Sequence, residues 1–225
     1  MTILVIAPHA DDETLGMGGT IARLAAEGRE VAVAVMTGPG PDPHPLWPRD
    51  VWDTVRAEAA EAAKVLGVTR LEFRDLPAVC VPDLPVHEVN RAVSDLIAAV
   101  DPEELYLPYY HDLHRDHAAI GYSALVHARA YLEAGRKIRL IAMYETPTET
   151  HIFPSQLAPA FTPNMWVDVS GTIATKLRAW DCYRSQHQAR ATPRSPEALR
   201  ALAVMRGAEI GAEAAEAFML LRLRR

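Results

Sequence analysis

The sequence predicts an α/β fold of the Rossmann-like class, a mostly parallel sheet with helices on both faces. Short, continuous apolar runs indicate strands that are buried on both sides, as in parallel sheets. Longer stretches with apolar residues at helical spacing lie between these runs, and the two types alternate from residue 2 to residue 134. The chain has 225 residues and is 49% hydrophobic, which is enough for one domain over residues 1–225.

The first half of the chain supplies the regular alternation. Strands are expected at residues 2–7, 31–37, 70–76 and 104–108, and helices at 15–27, 51–67, 86–100 and 116–134. Pro8 bounds the first strand because proline cannot donate a ladder hydrogen bond, and Gly28 and Gly67 follow the ends of the first two helices. If the strands run in the order 3-2-1-4 of doubly wound sheets, strands 1 and 4 are neighbours.

The second half of the chain is less regular. Strands are expected at 139–145 and 165–170, helices at about 171–187 and 196–211, and then a short apolar tail. Glycine and proline make up most of residues 38–48. These residues are therefore expected to form a long exposed loop. Long loops in compact domains are commonly functional, so the loop at 38–50 and the segment at 145–163 are expected to form the rim of a site.

Composition excludes several classes of partner and location. A net charge of -6 and a pI near 5.8 provide no attraction to nucleic acid or to anionic membranes. No apolar run approaches the roughly 18 residues of a membrane span, and the N-terminal run is too short for a signal peptide. Cys80 and Cys182 lie far apart without metal-type spacing, so reduced thiols in a cytoplasmic protein are expected.

Two polar segments follow the neighbouring strands 1 and 4. The first is APHADDETLG (residues 7–16), which places a histidine and three acids directly behind an apolar run. The second is YYHDLHRDHAAIG (residues 109–121), which has three histidines and two aspartates within seven positions. The carboxyl ends of strands 1 and 4 open a crevice at the switch point of such a sheet. The two segments are therefore expected to face each other there.

Imidazole and carboxylate together suit Zn²⁺ or another divalent ion of the first transition row. A catalytic zinc takes three protein ligands and keeps one position open. His9 and Asp12 are three residues apart at a strand-to-helix turn, and His117 can complete the set from the other segment. A bound cation would also turn the adjacent carboxylates from mutually repelling into stabilising groups.

The remaining polar residues are candidates for the chemistry. Asp11 is placed to act as general base, and His114 could stabilise an oxyanion or protonate a leaving amine. Asp116 or Asp112 would fix the tautomer of His114. The simpler interpretation is that the acids only complement a helix N-terminus, worth about 0.3–1 kcal/mol each. It leaves the preceding histidine and the matching H-x-x-H motif unexplained.

The segment GMGGT (residues 16–20) invites comparison with a dinucleotide-binding fingerprint. The third small residue of G-x-G-x-x-G would fall at position 21, which is Ile21. We therefore interpret Gly16, Gly18 and Gly19 as positions where the helix approaches the sheet closely. Covalent catalysis has no candidate, because the chain has no G-x-S-x-G motif and neither cysteine lies beside a histidine and an acid.

The two polar segments resemble the signatures of the PIG-L/LmbE-like zinc-dependent N-deacetylases. Residues 8–13 read PHADDE against the family's (A/P)-H-P-D-D-E, and residues 112–117 read DLHRDH against H-P-D-H with a preceding aspartate. The resemblance continues to the C-terminal part of the chain through the following short matches: T37-G38, F161-x-P163-N164, V167-D168-V169-S170, K176, S185-Q186, R206-G207 and A215-E216-A217-F218.

The resemblance implies roles for individual residues. His9, Asp12 and His117 would be the zinc ligands, and Asp11 the general base. His114, with Asp116 behind it, would stabilise the tetrahedral intermediate. The implied substrate is a small N-acetylated molecule, an amino sugar or a related precursor of a natural product or thiol.

The chain departs from the family pattern in residues expected near the substrate. Ala10 and Arg115 replace the usual prolines, and Arg115 would favour an anionic substrate at the rim. The family often has the motif R-x-x-E, but here Arg56 and Glu58 are only two residues apart. The frequent family motif P-D-G is replaced by P77-A78-V79, which lacks the acid. Arg56, Asp112 and Arg115 are the candidate substrate contacts.

The predicted function is thus a metal-dependent hydrolase that removes acetyl from the amine of an N-acetylated amino sugar or related compound. One alternative is an amidase acting on a non-sugar N-acyl compound or a thiol conjugate. A second alternative, from another class, is a nucleotide- or metal-binding module without turnover. The sequence leaves a homo-oligomer open.

Overall fold

The computed structural model describes residues 2–40, 43–188 and 192–225. The strands are β1 Thr2–Ala7, β2 Glu30–Gly38, β3 Arg70–Pro77, β4 Glu104–Pro108, β5 Leu140–Tyr144, β6 Met165–Asp168 and β7 Ala215–Leu223. The helices are α1 Asp12–Ala26, α2 Arg49–Leu66, α3 Val86–Val100, α4 Arg115–His127, α5 Glu133–Lys137, α6 Ile173–Trp180 and α7 Pro196–Ala208.

The strands form one seven-stranded sheet in the order β3-β2-β1-β4-β5-β7-β6. The first five in this order are parallel, and β7 runs antiparallel to both β5 and β6. The predicted fold class and the predicted order 3-2-1-4 are confirmed. Strands β1 and β4 are paired directly, so the two polar segments leave the sheet side by side.

Helices cover both faces of the sheet, and β1 shows why its sequence is continuously apolar. Ile3 and Val5 pack in a core with residues of α1, α2 and α6. Leu4 and Ile6 point to the opposite face and pack with residues of α3 and α4. Because successive strand residues face opposite sides, a strand between two helical layers needs apolar residues at every position.

The C-terminal segment differs from the sequence prediction. Residues 215–223 were expected to be a short apolar tail, but they form β7, which lies between β5 and β6. Phe218 pairs with Tyr144 on one side and Met165 on the other, and it is fully buried. The partners of β7 are far away in the sequence. The local sequence of residues 215–223 therefore gave no indication that they lie inside the sheet.

Two predicted helices are shorter than expected. The helix predicted at 116–134 ends at His127, and α5 follows as a separate short helix. Gly135 of α5 lies against the backbone of Arg129, too close for a Cβ atom, so the chain folds back on itself there. The helix predicted at 171–187 ends at Trp180.

Helix α1 is kinked, and the kink explains the glycine-rich segment. Met17 has non-helical angles of φ -146° and ψ 26°. Beyond it, the backbone N–H groups of Gly19 and Thr20 donate to the Glu216 carboxylate of β7, at 3.0 and 2.7 Å. Gly16 lies directly against the Tyr144 ring, where a Cβ atom would clash. The prediction that Gly16 permits close approach to the sheet is confirmed.

In the described ranges, none of the helices combines the length and the apolar character that crossing a bilayer requires.

Candidate active site

The segment after β1 turns sharply into α1. Asp11 adopts a left-handed conformation with φ 118° and ψ -25°, which is rare for a residue other than glycine. The Glu13 carboxylate accepts the Asp11 backbone N–H at 3.2 Å. The Asp12 carboxylate accepts the His9 backbone N–H at 2.8 Å. The carboxylates of this segment therefore stabilise the turn that presents them.

The segment after β4 opens helix α4. His114 is the N-cap residue, and its Nδ1 accepts the backbone N–H of Asp116 at 3.3 Å. This bond leaves the ring proton of a neutral His114 on Nε2. His117 follows within the first turn of α4 and is fully buried.

The two segments meet at Asp12. Its Oδ2 atom lies 3.3 Å from His9 Nδ1 and 3.2 Å from His117 Nε2. Ring nitrogens of His9, His114 and His117 all lie within 4.8 Å of one another. The predicted meeting of the two segments at the ends of β1 and β4 is confirmed.

Two further carboxylates orient the histidines. Asp116 Oδ2 lies 3.0 Å from His9 Nε2, and Asp112 Oδ2 lies 2.7 Å from His117 Nδ1. Asp116 or Asp112 was expected to fix the tautomer of His114 instead. That expectation needs correction, because Asp116 Oδ2 is 3.9 Å from His114 Nδ1. His114 is held by a backbone group rather than by a carboxylate.

The electrostatics of this cluster favour positive charge beside Asp12. Burial alone would lower the pKa of His9, but its contacts with Asp116 and Asp12 raise it to about 9. Burial also opposes charge on His117, yet Asp12 and Asp112 raise its pKa well above the usual range. The pKa of Asp12 lies well below its usual range, because the neighbouring histidines outweigh its burial. A divalent cation would supply the same positive charge.

A cavity of about 380 Å³ opens beside the cluster. Its lining residues include His9, Asp11, Asp12, His114 and His117 on one side, and Val35, Trp47, Val51, Trp52, Val55, Arg56, Ala78, Val79, Glu149, Gln186 and Arg194 around it. Of the two segments predicted to form the rim, 38–50 contributes Trp47 to the cavity lining and 145–163 contributes Glu149. Residues 41–42 of that loop lie outside the described residues.

The three candidate substrate contacts occupy different places. Arg56 lines the cavity, where its Nη2 donates to Asp75 Oδ1 at 2.7 Å. Asp112 does not line it, since its carboxylate is buried against His117. Arg115 is exposed and also lies outside the lining residues. Of the three, Arg56 is therefore the residue that lies within reach of a molecule in the cavity.

A comparison with known protein families identifies the family to which the two polar segments belong. The family model for PIG-L, described as GlcNAc-PI de-N-acetylase, matches residues 4–128, which include both signatures. The chain belongs to the PIG-L family. The resemblance predicted from the two signatures is confirmed.

Two relatives of this PIG-L chain are named deacetylases. YaiS of Escherichia coli K12, described as an uncharacterized deacetylase, is 31% identical over 69% of this chain and 79% of its own length. The diacetylchitobiose deacetylase of Thermococcus kodakarensis is 27% identical over 82% of this chain and 69% of its own length. The conserved protein TT1542 of Thermus thermophilus has a TM-score of 0.73 at 28% identity, over 96% of this chain and 93% of its own.

The donor set of the PIG-L chain fits a divalent metal. In tetrahedral zinc sites with nitrogen and oxygen ligands, neighbouring donor atoms are about 3.3 Å apart, which matches both distances from Asp12 Oδ2. His117 Nε2 is buried, and no described residue satisfies it with a hydrogen bond of good geometry. His117 Nδ1 is bonded to Asp112, so Nε2 is the ring nitrogen that a metal would bind in place of a proton.

Arg194 was not among the residues predicted for the site. Its Nη1 lies 3.2 Å from Asp11 Oδ2, and Nη2 lies 3.5 Å from Thr148 Oγ1. Burial and the charge of Asp12 raise the pKa of Asp11 to about 8, and Arg194 opposes this rise. Arg194 follows a proline in a segment without a motif, 183 residues from Asp11. No local pattern could have found it.

Proposed function

We propose that the chain is a zinc-dependent N-deacetylase that removes acetyl from the amine of an N-acetylated amino sugar or a related compound. The convergence of His9 Nδ1 and His117 Nε2 on Asp12 Oδ2, at 3.3 and 3.2 Å, is the observation that supports it most directly. The naming of relatives as deacetylases, one of them for diacetylchitobiose, supports the reaction and the sugar.

His9, Asp12 and His117 would hold the metal, and Asp116 and Asp112 would orient the two imidazoles. When bound, the ion polarises the amide carbonyl and makes water a better nucleophile. The donor set alone also accommodates other divalent ions of the first transition row.

Asp11 is the proton acceptor in this proposal. Its carboxylate lines the cavity next to Asp12, and Glu13 and Arg194 hold its backbone and side chain. It would take the proton of the attacking water as the oxygen bonds to the acetyl carbon. The proton then passes to the leaving nitrogen as the C–N bond breaks, which yields acetate and a free amine.

His114 stabilises the developing oxyanion in this proposal. The backbone N–H of Asp116 occupies its Nδ1, so its Nε2–H is available to donate. Burial and the neighbouring histidines lower the pKa of His114 to about 4, which is consistent with a neutral ring. A donor fixed before the reaction stabilises charge that appears only in the transition state.

We also infer that the enzyme acts in the cytoplasm on a small molecule. Both cysteines are free thiols, as expected where disulfides are kept reduced.

The decisive experiment is a substrate screen that measures acetate release. N-acetylated sugars, glycosides and thiol precursors are incubated with protein purified without chelator, whose metal content is measured and should be about one ion per chain. We expect release that stops with chelator and returns with zinc. A chain that never takes up metal would refute the proposal, and release from non-sugar amides alone would favour the amidase alternative.

A further inference from the structure

The cavity beside the histidine cluster is also lined by a carboxylate that the proposed deacetylation does not use. Glu149 lies in the turn after β5, is partly buried, and lines the cavity together with Asp11 and Asp12. Within the described ranges, its carboxylate has neither a hydrogen-bond donor nor an ion-pair partner. Its charge is therefore available to a molecule that enters the cavity.

The backbone of Glu149 is fixed in place. Its N–H donates to the Thr146 carbonyl at 2.9 Å, and the Thr150 hydroxyl accepts the Thr146 N–H at 2.8 Å, which closes the turn. The Glu149 carbonyl accepts the N–H of Leu113, the residue before His114, at 3.3 Å. The turn is thus attached to the polar segment after β4, and little backbone freedom is lost when the carboxylate binds a ligand.

The arginines that line the described cavity are already paired with other acids. Arg194 Nη1 lies 3.2 Å from Asp11 Oδ2, and Arg56 Nη2 donates to Asp75 Oδ1 at 2.7 Å. The described lining therefore contains an unpaired carboxylate, Glu149, but no unpaired arginine. This distribution of charge favours a cationic ligand over an anionic one.

Binding of a substrate makes the unpaired charge of Glu149 costly. A molecule in the cavity displaces the water around the carboxylate, and a carboxylate that loses its water without gaining a partner is strongly destabilised. Burial already raises the pKa of Glu149; His117 opposes this rise, and Asp12 and Asp112 add to it. An ammonium group on the ligand would compensate the lost water, because hydrogen bonds between charged groups are roughly twice as strong as neutral ones.

We propose that Glu149 binds a positively charged group of the substrate. The substrate is then an N-acetylated amine with a second, free amino group, such as an amino sugar that carries an additional ammonium group. The acetyl group is too small to carry it, so the cation belongs to the amine portion. This inference rests on the proposed deacetylase function for the reaction, but not for the binding of the cation. It differs from the expectation of an anionic substrate at Arg115, which lies outside the lining.

Binding is tested with ligands that contain no amide and therefore cannot be hydrolysed. Calorimetry on the metal-loaded protein compares 2-aminoethyl β-glucoside with 2-hydroxyethyl β-glucoside, which differ by an ammonium group in place of a hydroxyl. Methyl 6-amino-6-deoxyglucoside and methyl glucoside form a second pair, with the charge at carbon 6. In at least one pair we expect the cationic member to bind about tenfold more tightly. No preference in either pair, whether from equal affinity or from no binding, overturns the proposal.

The salt dependence shows whether this preference is electrostatic. Dissolved ions screen the attraction between charges, so the preference should shrink as the ionic strength rises. The affinity of the neutral member of the pair should stay nearly constant. A preference that is independent of salt would contradict an ion pair.

Glu149→Gln locates the effect, since it keeps the size of the side chain and removes its charge. The preference for the cationic ligand should fall by about tenfold, to near equality, with metal content and circular dichroism unchanged. The matched control is Glu88→Gln, which changes the net charge equally at an exposed position of α3 outside the lining. It should retain the preference. Retention in Glu149→Gln as well would exclude Glu149 as the binding residue.

Turnover separates this inference from the proposed reaction. The pair that shows the preference is prepared with an N-acetyl group at carbon 2, and acetate release is measured. We expect a higher kcat/KM for the cationic compound, through a lower KM, and equal values would count against the proposal. If neither compound is hydrolysed while the amide-free cation still binds preferentially, the deacetylase proposal fails and the cation site remains. A lower kcat of Glu149→Gln with an unchanged preference would place Glu149 at the leaving amine instead, and would overturn the inference.

Discussion

At the scale of single residues, Asp11 is the most constrained group of the site. Its backbone is left-handed, Glu13 accepts its N–H, and Arg194 contacts its carboxylate. Non-glycine residues in such conformations cost about 1–3 kcal/mol and persist where the surroundings enforce them. Glu13 is itself held by Thr14 and Tyr183, at 2.6 and 2.7 Å. This support fixes the carboxylate beside Asp12.

Asp11→Asn tests the role of the carboxylate. The amide has the same size but cannot accept a proton, so we expect turnover to fall by roughly 10²–10⁴-fold with bound metal retained. Acetate release and metal content are measured on the same preparations. Asp53→Asn, an exposed position of α2, is the control and should behave as the unmodified chain. Near-normal turnover of Asp11→Asn would assign the base to another group.

Asp112→Asn tests the orientation of His117. The Asp112 carboxylate lies 2.7 Å from His117 Nδ1, and second carboxylates of this kind fix the ring and raise its basicity. We expect metal affinity, measured by competition with a chelator, to fall about 10–100-fold. Asp95→Asn on α3, away from the cavity, is the matched control. Unchanged affinity would mean that packing alone orients His117.

At the scale of elements, the kink of α1 depends on strand β7. The Glu216 carboxylate accepts two backbone N–H groups of α1 beyond the kink and the Lys176 ammonium of α6 at 2.6 Å. The side chains of this ion pair are 5% and 4% exposed, so both charges are buried. One buried carboxylate thus connects three elements and fixes the direction in which α1 leaves the active site.

Lys176→Met tests this connection. Removing one partner leaves the Glu216 charge buried without its counter-ion, and such changes cost roughly 3–5 kcal/mol. We expect urea denaturation to show a loss of that size in the free energy of unfolding. Lys64→Met, an exposed lysine near the end of α2, should change it by less than about 0.5 kcal/mol. A similar small change for Lys176→Met would mean that the kink is stable without the pair.

At the scale of the whole molecule, a buried ionic group joins the end of β5 to α7. Glu145 accepts two hydrogen bonds from Arg206, at 3.0 and 2.8 Å, and lies 2.8 Å from His151 Nε2. Burial alone would raise the pKa of Glu145, but these contacts outweigh it and bring the pKa below the usual 4.5. The folded state therefore binds this proton less readily than the unfolded chain does.

The contribution of Glu145 to stability should consequently depend on pH. It is fully present above about pH 4.5 and is lost as the pH falls through the lower pKa of the folded state. Glu145→Gln cannot titrate, so its deficit in unfolding free energy should be largest at neutral pH and shrink in acid. Urea denaturation over this range measures the deficit, with the exposed Glu133→Gln as control. A deficit independent of pH would contradict the assigned shift.

The sequence by itself determined the α/β class, the order of the first four strands and the two segments of the site. These depend on local patterns: apolar runs, helical spacing, and polar residues directly after a strand. Neighbouring parallel strands place their carboxyl ends together, so the meeting of His9 and Asp12 with His117 followed from the order of the strands alone.

The tertiary structure alone decided the remaining contacts. It placed β7 inside the sheet, brought Arg194 to Asp11, and assigned Asp116 to His9 and Asp112 to His117. It also lined the cavity with residues from separate segments of the chain. Such contacts join residues that are distant in sequence or depend on side-chain direction. Neither property leaves a periodic pattern in the chain, because both arise from packing among several elements at once.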